Sequence, residues 1–124
     1  NKESTDRDYN AACAYILDRI DRFALVAGTH NEESARKLAA KIDELKIDPK
    51  NSKVYCSQLY GMSDHISYNL ADAGYNVVKY LPFGPIDEVM PYLIRRAEEN
   101  TSVEGQSGRE LQLITTELKR RKRR

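Results

Sequence analysis

Phe23-Ala24-Leu25-Val26-Ala27-Gly28 is a short apolar run without alternation, closed by a glycine. A strand with one wet face alternates polar and apolar residues, so an unbroken run suits a strand covered on both faces, as in a parallel sheet. On its N-terminal side, Thr5 to about Arg22 reads as a helix, with Thr5 or Asp6 as cap and Ala12, Tyr15, Ile16 and Ile20 near helical spacing. On its C-terminal side, Asn31 can cap a second helix to about Lys46, whose buried stripe is Ala35, Leu38, Ala39, Ile42 and Leu45. The cycle repeats: a turn at Ile47 to Ser52, a strand from Lys53 to Leu59, and a short helix from Asp64 to Ala73 closed by Gly74. It repeats again with Asn76 to Leu81 extended, a turn at Pro82-Phe83-Gly84-Pro85 and a helix from Ile86 to Asn100. Pro91 lacks a backbone donor, which predicts a kink or a restart of that helix. A linker, Ser102 to Gly108, then precedes a terminal helix built on Leu111, Leu113, Ile114 and Leu118.

Successive strand-helix units imply parallel strands with right-handed crossovers, an α/β class. Three such strands leave apolar edges bare, so the sequence predicts further strands from an upstream segment or another chain. The 124 residues suffice for one domain at most. With 20 basic and 19 acidic residues, the overall balance calls for neither nucleic acid nor an anionic membrane. The local exception is Lys119-Arg120-Arg121-Lys122-Arg123-Arg124, read as a solvated helix end. A second reading takes the chain as a small α/β binding module whose basic tail contacts nucleic acid or an anionic membrane. Cys13 and Cys56 fall in a helix and a strand, with no disulfide framework or metal-site spacing, which fits a reducing compartment. No apolar run approaches the roughly 20 residues of a membrane span, and the opening NKESTDRDYN carries no secretion signal and looks cut from something longer.

Ligands in parallel α/β folds gather at the C-terminal ends of the strands. After the first strand, Gly28 permits close backbone approach, Thr29 and His30 offer polar side chains, and the helix start at Asn31 favours an anionic or phosphate group. The same residues also read as a capped helix beside an ordinary loop histidine. After the second strand, Leu59 points an apolar group toward the ligand, Ser63 or Asp64 can cap the next helix, and His65 reads as a helix-surface residue. In the last unit Tyr92, Arg95, Arg96 and Glu99 share one helix edge at i, i+3, i+4 and i+7. A solvated edge with Arg–Glu pairs satisfies that spacing. Two guanidinium forks beside phenol rings also suit the bidentate capture of a small carboxylate.

Gln58 to Met62 (QLYGM), Lys79 to Pro85 (KYLPFGP) and above all Tyr92 to Asn100 (YLIRRAEEN) resemble the C-terminal part of the proline dehydrogenase family. The segments Thr29 to Asn31 (THN) and Asp6 to Ala12 (DRDYNAA) resemble it too, and the detail is closer to the short bacterial form than to the long fusion with a second dehydrogenase. The resemblance implies the last three βα units of a (βα)8 TIM-type barrel plus a C-terminal helix, with residues 1–124 as the C-terminal portion of a single barrel domain, strands six to eight. It implies an FAD-dependent enzyme that oxidises L-proline to 1-pyrroline-5-carboxylate by hydride transfer and passes electrons to a quinone. Arg95 and Arg96 would pair with the proline carboxylate, Tyr80 and Tyr92 would wall the ring, and Leu59 would complete the pocket. Thr29, His30 and Asn31 are similar to the flavin-contacting segment, and Glu99 to a residue supporting the arginines or the cofactor. Phe83 stands where the family often has tyrosine. No metal or nucleic-acid partner is implied, and the location expected is cytoplasmic, peripheral at the inner membrane face where the quinone resides. A barrel of this type needs roughly 250 residues, so the strands bearing the family's other substrate and flavin contacts must come from the same precursor or another chain, and this chain alone is expected to be inactive.

Overall fold

The computed structural model describes residues 1–102 and 106–122, with backbone alone over 99–102 and 106–110. In chain order it contains α1 (Lys2–Leu17), β1 (Leu25–Gly28), α2 (Glu32–Glu44), β2 (Val54–Leu59), α3 (Asp64–Asp72), β3 (Val77–Tyr80), α4 (Ile86–Ser102) and α5 (Gln106–Arg121). The three strands form one parallel sheet in the order β1-β2-β3. Two compact units divide the chain, Asn1–Tyr80 and Leu81–Arg124.

In the first unit α1 begins earlier than Thr5, because the Asn1 side chain accepts from the Ser4 amide at 2.9 Å and closes the first turn. It also ends at Leu17 rather than Arg22. Beyond Leu17 the backbone tightens into three-residue turns, and Lys53 Nζ donates to the carbonyls of Ile20 and Asp21 at 3.1 and 2.7 Å. A cation from the residue just before β2 thus satisfies acceptors that a longer helix would have used. Helix α2 follows its expected stripe, with Ala35, Leu38 and Ile42 buried and Ala39 and Leu45 half-buried. Its end is a Schellman turn made on a lysine: Lys46 takes φ 53°, its amide donates to Asp43 O, and Ile47 donates to Ile42 O.

Register sorts the strand residues into two faces. Leu25 pairs with Val54, Ala27 with Cys56 and Val77, and Gln58 with Lys79, and this face is covered by α1, α2 and α3. Leu17, Leu38, Ile42, Cys13 and the apolar members of those rows form the core. The opposite face carries Val26 with Tyr55, Gly28 with Ser57 and Val78, and Leu59 with Tyr80. Val26 is 63% exposed there and Tyr80 54%. The expectation that β1 is buried on both faces is therefore met on one face only. The alternation is invisible in the sequence because both faces are apolar.

Cys13 and Cys56 are free and buried. Burial raises both thiols, Cys56 from 9.0 to about 11, with the neighbouring Cys13 adding to the shift. A raised folded-state value stabilises the fold fully below pH 9 and loses that contribution as pH climbs toward 11. Urea midpoints measured from pH 8 to 11 should therefore fall less steeply in Cys56→Ala than in the parent; equal slopes would contradict this.

In the second unit α4 runs as one helix through Pro91 rather than restarting there. Its first turn closes on Pro85 O, which accepts from Glu88 and Val89. Of the predicted linker, Ser102 ends α4 and Gln106 to Gly108 belong to α5, while 103–105 lie outside the described residues. Arg120 and Arg121 both bind the Glu117 carboxylate, at 2.7 and 2.9 Å, and hold it down to about 2. The residues of the basic run described here, Lys119 to Lys122, are exposed; Arg123 and Arg124 lie outside the described residues.

Candidate functional site

The C-terminal ends of the three strands gather five of the sequence-predicted residues into one rim. Parallel pairing sets Leu59 beside Tyr80, and the Tyr60 amide extends the ladder to Tyr80 O at 2.9 Å. The β1–α2 connection adds Thr29, whose amide donates to Ser57 O at 3.2 Å, followed by His30 and Asn31. The His30 ring reaches across to β2: its Nε2 lies 3.5 Å from the Leu59 amide and its Nδ1 is 2.8 Å from Ser63 Oγ.

The turn chemistry explains this placement. Asn31 Oδ1 accepts from the amides of Glu33 and Ser34, and the Asn31 amide donates to Thr29 Oγ1 at 3.0 Å. The Glu33 and Ser34 amides of the first turn of α2 are thereby engaged, and Glu32 and Glu33 add negative charge. The expected anion or phosphate site at this helix start is thus not what the local geometry supports. What the rim offers is Gly28, above which a side chain would meet nothing within 4 Å, flanked by an imidazole, a leucine and a phenol. A flat, largely apolar ring system such as a flavin's would fit that surface.

Three features of this site were not anticipated. Ser63 occupies the N-cap position of α3 but makes no side-chain cap bond; its φ is 52°, and its hydroxyl meets His30 instead. Gln58, 2% exposed on the helix-facing side, accepts from Ser67 Oγ at 2.9 Å and reaches Thr29 O at 3.4 Å. Lys79, beside it in register, donates to Met62 O at 2.7 Å and Asp64 Oδ1 at 2.9 Å. Lys79 grips the β2–α3 loop from behind, while Gln58 ties α3 to the β1–α2 connection. The legible signal was a pair of polar residues, Gln58 and Lys79, at covered positions of otherwise apolar strands. Charged hydrogen bonds of this kind contribute about 1.5–3 kcal/mol each, discounted here because the Lys79 side chain is 24% exposed. Lys79→Met should cost about 1–2 kcal/mol in denaturant unfolding, and an unchanged midpoint would contradict the grip.

The predicted helix edge lies in the second unit. Tyr92 and Arg96 are half-buried on α4, Arg95 is exposed, and the Arg96 guanidinium carbon sits 5.2 Å from the Tyr92 ring centroid. That is a cation–π stack of helical i, i+4 neighbours. Glu99 follows on α4, with its side chain, and so the predicted Arg–Glu99 pairs, outside the described residues. His65 stands away from the rim, 21% exposed, with Nε2 4.0 Å from Glu32 Oε2, in a cleft of about 360 Å3 between α2 and α3. A second cleft, about 700 Å3 between α1 and the start of α2, shares only Asn31 with the predicted residues. Among the described residues no group of three or more His, Cys, Asp or Glu is placed to hold a metal, and no helix is long and apolar enough to cross a membrane.

Comparison with known proteins gives a consistent picture. The family model described as proline dehydrogenase matches residues 1–109. Proline dehydrogenase 1, mitochondrial, of Bos taurus is 43% identical over 122 residues, which cover 96% of this chain and 21% of that protein. Hydroxyproline dehydrogenase of Xenopus laevis is 45% identical over 123 residues, 96% of this chain and 26% of that protein. The crystal structure of proline utilization A (PutA) from Bdellovibrio bacteriovorus inactivated by N-propargylglycine superposes with a TM-score of 0.75 at 31% identity, covering 84% of this chain and 11% of that one. The chain thus spans about a fifth to a quarter of the length of these two curated relatives.

Proposed function

Because the chain belongs to the proline dehydrogenase family, we propose that residues 1–124 supply the last three βα units of a (βα)8 barrel that oxidises L-proline to 1-pyrroline-5-carboxylate. The observation that carries this reading is the bare apolar face, Val26, Tyr55, Leu59, Val78 and Tyr80, ending in a polar rim at the strands' C-terminal ends. That face suits a barrel interior, and active sites of such barrels lie at that end.

Arg95 and Arg96 hold the proline carboxylate with their fork-shaped donors, which fixes which ring carbon faces the cofactor. Tyr92, stacked on Arg96, pre-orders that guanidinium and is the second unit's residue for walling the substrate ring. Leu59 and Tyr80, neighbours in register, are the first unit's residues for that role and for excluding water. Thr29, His30 and Asn31 line the cofactor's edge, with Glu99 as a support for the arginines or the cofactor. FAD, when bound, supplies the acceptor for a hydride from the ring carbon next to nitrogen, while the nitrogen loses its proton. A quinone is the electron acceptor of the proposal, and the remaining barrel strands are its missing protein partner.

The test is steady-state reduction of a quinone analogue by the full-length protein with L-proline and with hydroxyproline as alternative substrates. Turnover with proline supports the reading; turnover with hydroxyproline alone transfers it to the Xenopus-like specificity; turnover with neither overturns it. The basic-tail binding module is less favoured, because the family match over residues 1–109 accounts for most of the chain without it.

A further inference from the structure

Ser63 gives up two ordinary sources of stability. A serine at an N-cap normally adopts extended dihedrals and accepts a first-turn amide, which stabilises the helix start. Ser63 instead has φ 52° and ψ 41°, left-handed, with no cap bond. Left-handed backbone is strained for a non-glycine residue. The conformation is held from outside: Ile66 and Ser67 amides donate to Ser63 O at 3.0 and 3.1 Å, and Lys79 pins the preceding carbonyl of Met62 at 2.7 Å. Its effect is to turn Oγ toward His30 Nδ1, 33 residues away, at 2.8 Å.

We infer that Ser63 is a positioning residue that fixes the tautomer and plane of the His30 ring at the rim. The backbone amide of Leu59 can only donate, so its long 3.5 Å approach favours the lone pair on Nε2. Nδ1 then carries the proton and donates to Ser63 Oγ. Both ring nitrogens are tied to the β2–α3 segment, one to the residue that walls the substrate and one to the strained serine. Rotating the ring breaks the bond to Ser63 Oγ. This rests on the proposal above insofar as His30 faces a flavin there.

The experiment separates strain from positioning by comparing Ser63→Gly and Ser63→Ala in the full-length protein. Glycine removes the hydroxyl and also the left-handed strain; alanine removes the hydroxyl alone. Two readouts are taken: the 15N shifts of the His30 imidazole, which need no cofactor, and FAD affinity. The expected result is that Ser63→Gly unfolds at the parent temperature or higher while both variants lose the fixed Nδ1–H tautomer and weaken FAD binding about five- to tenfold. A glycine variant with the parent's ring shifts, or with the parent's FAD affinity, overturns the inference and leaves Ser63 a loop residue only. A parent protein that binds no FAD overturns the flavin reading itself, a result visible before either variant is measured.

Discussion

Replacing Arg95 or Arg96 by methionine in the full-length protein is expected to lower kcat/KM for L-proline by about two orders of magnitude or more, most of it in KM. Removing one partner of a desolvated charge pair costs about 2–5 kcal/mol, and each 1.4 kcal/mol is tenfold. The two positions are not equivalent. Arg96 is half-buried and stacked over Tyr92 at 5.2 Å, whereas Arg95 is exposed. Arg96→Lys keeps the charge but loses both the fork and the planar stack, so it should recover little of the loss. Near-parental kinetics in either methionine variant would remove the arginines from the carboxylate.

The second large effect is expected at Val26. Val26 is 63% exposed, on the face that no helix of the first unit covers, so a charge there meets water as far as this chain is concerned. If the remaining strands close a barrel over that face, Val26→Asp buries a carboxylate without a partner, at a cost of several kcal/mol. The full-length variant should then fail to retain flavin and should aggregate or unfold far below the parent temperature. Normal flavin content and stability would mean that the face is solvent-exposed in the whole protein and that the barrel reading is wrong.

Much of this architecture is legible in the residues. The unbroken run from Phe23 to Gly28 predicts a parallel strand, and Asn31, Gly74 and the 3.6-residue stripe of α2 place their helices correctly. The helix boundaries that moved did so for tertiary reasons: Lys53 takes the carbonyls after Leu17, and Asn1 caps before Thr5 can. Leu59 is placed at the rim by its strand-end position, and Tyr80 by its register beside it, the role of Tyr80 resting on the resemblance. Ser63 was not readable as a site residue, since a serine before a helix reads as a cap. Only its left-handed dihedrals and the bond to His30 separate it from one. Likewise the phosphate expected at Asn31 followed from a helix start in the abstract, and Asn31's own side chain takes the amides that such a group would need.

The central claim is that the rim formed by Thr29, His30, Leu59 and Tyr80 serves a flavin that accepts hydride from proline. The most direct measurement is the visible absorbance spectrum of the full-length protein, recorded before and after anaerobic addition of L-proline. The account predicts flavin bands that bleach on proline addition in the parent and persist in Arg95→Met at the same proline concentration. A full-length protein that folds but carries no flavin bands, or whose bands are untouched by proline, would contradict it.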